Sequence, residues 1–192
     1  LRAMILGDEA GRDDSALLLD YRGHLVLDTV DCSNPNGLDL PAPVDVLLCA
    51  FAGGASGFPV CWTELYGEDE VRRRIAANLA SVRSLVTDIA AACRPRVAVP
   101  FAGYFVEAHP ADAAVAERNT KNSWQDFERA VGRADEATQV WLPEPGQLLD
   151  VGRSLEGAGG LHLTQRSPVR APHHRFADHT DLAGRAFAKN PR

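Results

Sequence analysis

Val71, Ile75, Leu79, Val82, Leu85, Val86, Ile89 and Cys93 recur at three- and four-residue steps, and Arg72, Arg73, Arg74, Arg83 and Asp88 take positions between them. This period predicts one long amphipathic helix over 69–93 with its apolar stripe laid on a sheet. Pro95 lies just beyond, where a helix stop is expected. Ahead of the helix the period shortens. Residues 1–6 read as a strand. Residues 15–21 and 24–30 are apolar, partly β-branched runs separated only by Arg22-Gly23, which predicts a tight hairpin. Residues 44–49 and 96–101 are continuous apolar runs of buried-strand type. With the helix between them they form a strand-helix-strand unit, a crossover that favours parallel pairing.

Later elements are weaker. Residues 112–118 and 123–131 read as short helices, and 138–142 and 147–151 as strands around Pro143-Glu-Pro-Gly146. After Gly152 the periodicity fades. The chain is therefore divided into an α/β domain over 1–153 and an irregular tail over 154–192, rich in Gly, Pro, Arg and His.

Composition narrows the classes. The 192 residues carry 26 acidic and 20 basic side chains, a net charge of −6, which argues against a nucleic-acid or anionic-membrane binder. No apolar run approaches the ~20 residues of a membrane span. Cys32, Cys49, Cys61 and Cys93 are scattered without a Cys-x-x-Cys pair, as expected of free thiols in a cytoplasmic protein.

The candidate chemistry gathers after the strands. Asp31 sits one step past the 24–30 run, in a turn-rich loop, Cys32-Ser-Asn-Pro-Asn-Gly37. There its local sequence reads first as an Asx-turn, and functionally as a metal ligand or a general base. Asp28 competes with it but falls within the strand. Gly53, Gly54 and Gly57 follow the 44–49 strand without forming a phosphate-binding fingerprint. The run from Pro100 to Pro110 leaves a strand and reaches a single imidazole, His109. Asn119-Thr-Lys-Asn122 offers amide, hydroxyl and ammonium groups suited to phosphate, carboxylate or sugar hydroxyls. His173, His174 and His179 lie near Asp178 and Asp181 but lack a periodic scaffold.

Four blocks occur in order: Asp28-Thr-Val-Asp-Cys-Ser-Asn-Pro-Asn-Gly37, Phe51-Ala-Gly-Gly-Ala-Ser-Gly-Phe-Pro59, the Pro100 to Pro110 run and Asn119-Thr-Lys-Asn122. Together, and with Leu148-Leu-Asp-Val-Gly-Arg153, they resemble the metallo-β-lactamase-fold part of the CMP-N-acetylneuraminate hydroxylase (monooxygenase) family and its bacterial relatives. The resemblance implies the C-terminal half of an αββα sandwich with iron or zinc at one edge. It implies Asp31 and His109 as metal ligands, and Tyr104, Asn119, Lys121 and Asn122 as substrate contacts. It further implies a sugar-nucleotide substrate hydroxylated at an N-acetyl methyl group, and an electron-transfer partner. A metal-dependent hydrolase and a catalytically incomplete chain are the alternatives. The family's His-x-His-x-Asp-His motif and its Rieske [2Fe–2S] ligands are not in this sequence and are expected upstream, so the chain reads as an N-terminally truncated fragment. Ala50 stands where an acidic residue is expected, and from Leu155 the tail departs from the family.

Overall fold

The computed structural model describes residues 1–53, 60–102, 107, 110–156 and 159–166. Three strands open the chain: β1 (Arg2–Gly7), β2 (Ser15–Tyr21) and β3 (His24–Val30). The turn between β2 and β3 places both central residues at positive φ, Arg22 at 55° and Gly23 at 86°. That turn matches the right-handed twist of the flanking strands, which is why two residues suffice. Next come β4 (Val46–Cys49), the short helix α1 (Thr63–Tyr66), the long helix α2 (Glu68–Cys93) and β5 (Val97–Pro100). After these come α3 (Ala113–Arg118), α4 (Trp124–Ala134), β6 (Gln139–Val140), β7 (Gln147–Leu149), α5 (Val151–Glu156) and β8 (Leu163–Gln165).

Six strands form one sheet in the order β1-β2-β3-β4-β5-β6. The first three pair antiparallel, and β3 to β6 run parallel. The mixed α/β class and the parallel crossover over α2 therefore hold. Leu25, Leu27, Leu47, Cys49 and Ala98 face one side of the sheet and pack with Val86, Ile89, Ala90 and Cys93 of α2 and Phe127, Ala130 and Val131 of α4. The Thr87 hydroxyl in α2 donates to the Ala130 carbonyl of α4 (2.9 Å). By length and composition α2 could cross a bilayer. Its buried stripe and the arginines opposite are those of a helix lying on a sheet.

The other face has a different cover. Val26, Val46, Leu48, Val97 and Val99 pack against Trp141, Leu149, Val151 and Leu161. Strands β7 and β8 form a separate antiparallel pair, so the described chain has helices, a six-stranded sheet and a second, two-stranded sheet. Val151, expected at the end of a strand, opens α5 instead. The 153/154 boundary falls inside that helix, and residues 163–165 pair with β7, while 167–192 lie outside the described residues.

At the strand amino ends, the buried Asp45 accepts from Leu25 N–H (2.8 Å) and faces His24 Nδ1 (3.4 Å) and Arg96 (3.6 Å), tying β3, β4 and β5 together. Helix α4 starts with a capping box. Ser123 Oγ accepts from Asp126 N–H (3.3 Å), and the Asp126 carboxylate accepts from Ser123 N–H (2.8 Å). The Ser123 backbone and hydroxyl donors, helped by Arg129, hold the Asp126 carboxyl at about 2. A lowered carboxylate contributes stability above its unfolded value and loses it as pH falls. Ser123→Ala should cost about 1 kcal/mol in urea unfolding at pH 7. That cost should shrink as pH falls from about 4 toward about 2.

Candidate functional site

All four parallel strands point their carboxyl ends to one crest, where open α/β sheets place ligands. Strand β3 does not end regularly. Its pairing with β4 slips between Asp28 and Val30, and Val30 sits at φ 37°. Cys32 N–H turns back to the Thr29 carbonyl (2.7 Å), and the buried Thr29 hydroxyl donates to the Leu48 carbonyl (3.2 Å). A bulge of this kind re-aims the side chains beyond it. Asp31 is left exposed.

Asp28 remains in register, opposite Leu17 on one side and Leu48 on the other. Ile5 pairs with Leu17 and Leu48 with Val99, so one carboxylate interrupts an apolar row across the sheet. Asp28 Oδ1 is buried and has no hydrogen-bond partner among the described residues. Burial pushes the Asp28 carboxyl above the usual range, against the lowering by the Val30 N–H. Burial also pushes the Cys49 thiol up to about 11, with the Asp28 charge adding to it. A buried carboxylate oxygen without a donor is costly unless something cationic meets it.

The loop after β3 is fixed from β1. The Asp8 carboxylate accepts from Ser33 N–H (3.0 Å), the Ser33 hydroxyl (3.1 Å), Asn34 N–H (2.9 Å) and Ala10 N–H (3.0 Å). Burial raises the Asp8 carboxyl, but these donors outweigh it and the value falls below the usual range.

A second polar group lies between the run after β5 and the segment 119–122. The Glu107 carboxylate accepts from Lys121 Nζ at 3.2 and 3.1 Å and from the Asn119 amide. The Glu107 and Lys121 side chains are each only 10% exposed. Burial raises the Glu107 carboxyl, yet the Asn119, backbone and Lys121 donors hold it low. Asn122 is 2% exposed. Its Nδ2 donates to the carbonyls of Phe51 (2.9 Å) and Leu79 (3.1 Å), and its Oδ1 accepts from Arg83 (2.6 Å). Its amide is thus committed to joining the loop after β4 to α2.

Glu107→Gln should lose about 2 kcal/mol at pH 7, since hydrogen bonds to charged groups contribute about that much. The lowered Glu107 carboxyl gives stability above the ordinary glutamate value of about 4.3 and loses it on acidification. The gap between variant and parent should therefore close below that pH in a urea series.

Of the residues expected at the site, the structure brings Asn119 and Lys121 together through Glu107 and sets Asn122 beneath them. Tyr104, His109, Gly54, Gly57 and the tail histidines lie outside the described residues. Among the described residues, no three His, Cys, Asp or Glu side chains gather as a metal cage. From the sequence alone, Asp28 ranks behind Asp31 because it falls within the strand. Glu107, though it sits inside the Pro100 to Pro110 run, carries no signal in the sequence that marks it as part of the site.

Comparison with curated proteins finds relatives that share one name. The chain is 43% identical over 162 residues to the cytidine monophosphate-N-acetylneuraminic acid hydroxylase of Asterias rubens, covering 81% of this chain and 24% of that protein. It is 39% identical over 158 residues to the protein of that name from Mus musculus (81% and 27%). For Sus scrofa the identity is 39% over 162 residues (81% and 36%). The chain thus spans about a quarter to a third of the length of these relatives. No family model matches it, and no solved structure does.

Proposed function

Since the chain is homologous to the CMP-N-acetylneuraminic acid hydroxylases over 81% of its length, we propose that it forms part of a metal-dependent monooxygenase acting on a CMP-sialic acid or related N-acetyl sugar nucleotide. In this reading it supplies late ligands of a metallo-β-lactamase-type site. Asp28 takes the carboxylate role in place of Asp31, and His109 is the proposed imidazole. The observation that carries the reading is the buried Asp28 Oδ1 at the crest, which has no hydrogen-bond partner among the described residues. A hard oxygen donor held in an apolar row fits a cation such as iron or zinc. The helix, sheet and second-sheet layering supports half of an αββα sandwich.

Iron at such a site would supply O₂ activation, with electrons from a partner. The chain's own residues would hold and orient. Lys121 and Asn119, fixed by Glu107, would form a polar wall for the substrate, and Asn122 braces that wall through Phe51 and Leu79; Tyr104 is proposed as a further substrate contact from the family resemblance alone.

Equilibrium dialysis with Fe²⁺ or Zn²⁺ tests the ligand assignment. Asp28→Asn should weaken binding at least tenfold, His109→Ala should weaken it comparably, and Asp31→Asn should leave it unchanged. Weakening confined to Asp31→Asn would return the role to Asp31.

A further inference from the structure

A pocket of about 350 Å³ opens at the same crest, lined by Phe51, Pro100, Ala102, Trp124, Leu142 and Pro143. Its walls come from the segments that end β4, β5 and β6 and from the first residue of α4. The lining side chains are apolar. The Trp124 indole stands 44% exposed beside it. The Phe51 ring is held edge-on against Phe127, with centroids 5.8 Å apart and planes at 70°, so that wall is rigid. The Asn122 bond to the Phe51 carbonyl fixes the backbone beneath it (2.9 Å). A rigid apolar slot with an open indole face suits a flat ring, since base–aromatic stacking works through the π-face that every base has.

We propose that this pocket is the nucleobase subsite, in which Trp124 stacks on the pyrimidine of the substrate. The proposal rests on the sugar-nucleotide reading above and deepens it. Two geometric points support it. Strands β3 and β5 are separated only by β4, so two spacings of about 4.8 Å put their ends about 10 Å apart along the crest. A nucleotide with its base at Trp124 can then reach toward the end of β3, where Asp28 lies. The polar residues 119–122 precede Trp124 in the chain with only Ser123 between, so amide and ammonium groups lie within a few residues of the indole. Because the pocket wall carries few polar side chains, it reads the ring by stacking and not by its hydrogen-bonding edge.

The test is direct binding of CMP, UMP and ribose 5-phosphate to the chain. Saturation-transfer NMR on the parent protein should show the strongest transfer to the pyrimidine ring protons. CMP and UMP should bind within about threefold of each other, and ribose 5-phosphate at least tenfold more weakly. Trp124→Ala should weaken CMP about tenfold or more. Trp124→Phe should retain most of the affinity, and Trp62→Ala should not change it. Ribose 5-phosphate binding as tightly as CMP, no CMP binding, or indifference to Trp124→Ala would overturn the subsite. These outcomes are independent of the metal test. CMP that stacks on Trp124 in a protein whose metal affinity ignores Asp28 would leave the subsite standing and sink the ligand assignment.

Discussion

Asn122→Ala should cost the chain about 3 kcal/mol in urea unfolding, the largest stability loss expected of a side chain at the crest. The substitution removes three hydrogen bonds at once: two donated to the Phe51 and Leu79 carbonyls and one accepted from Arg83. Each net bond contributes roughly 1 kcal/mol, and a buried carbonyl left without a donor costs about 1–3 kcal/mol. Water cannot readily replace the amide where Asn122 is 2% exposed. The backbone bond from Asn122 N–H to the Ala52 carbonyl (2.9 Å) survives, so the loop should loosen and not detach. Asn122→Asp separates the causes. It keeps an acceptor for Arg83 but turns oxygen toward two carbonyls, so it should be destabilised too, and more at pH 7 than at pH 4. A cost below 1 kcal/mol for Asn122→Ala would mean that the backbone bond alone holds the loop. Gly53 depends on the same packing. At φ 72° a Cβ there would meet Leu79 Cδ2 at 3.2 Å.

Most of the main sheet was legible because its signals are local and periodic. The two-residue turn at Arg22-Gly23 needs positive φ at both positions and takes it. The α2 stripe and its stop are carried by spacing alone, and the structure begins the helix at Glu68, one residue early. The second layer was not legible for the opposite reason. Strand β8 has three residues, all exposed, so it has no alternation to read. It exists because its backbone pairs with β7, and Leu161 just before it packs on the sheet. Val151 likewise shows no helical period in a helix of six residues.

At the site, the crest could be located but not its chemistry. Where Asp31 ends up depends on a one-residue slip just before it, and in a strand such a slip exchanges the faces of everything beyond it. The slip here is stored in Val30 at φ 37°, a conformation that a β-branched residue seldom adopts. Nothing in the residue types announces it. Glu107 and Lys121 are 14 residues apart in sequence and separated by α3. Their pairing is a tertiary fact, whereas the polarity of 119–122 was visible directly.

Asp28→Asn should lose some or all of its metal-free stability advantage when metal is added. Without metal, the parent carries a carboxyl whose value is raised by burial. A raised carboxylate gives its full stability below the unfolded aspartate value of about 3.9. That contribution is lost as pH rises through the higher folded value. Asparagine does not titrate, so metal-free Asp28→Asn should gain on the parent as pH rises above about 4 and be the more stable protein at pH 8. With Fe²⁺ or Zn²⁺ at about 100 times the dissociation constant, the parent gains about 2.7 kcal/mol. A tenfold weaker variant gains about 1.3 kcal/mol less under the same conditions. The order of the two melting curves should therefore draw together or cross on adding metal, and chelator should restore it. Asp31→Asn should show neither effect, because Asp31 is exposed. If metal-free Asp28→Asn is instead the less stable protein at pH 8, Asp28 is bonded within the fold and its oxygen is not waiting for a cation.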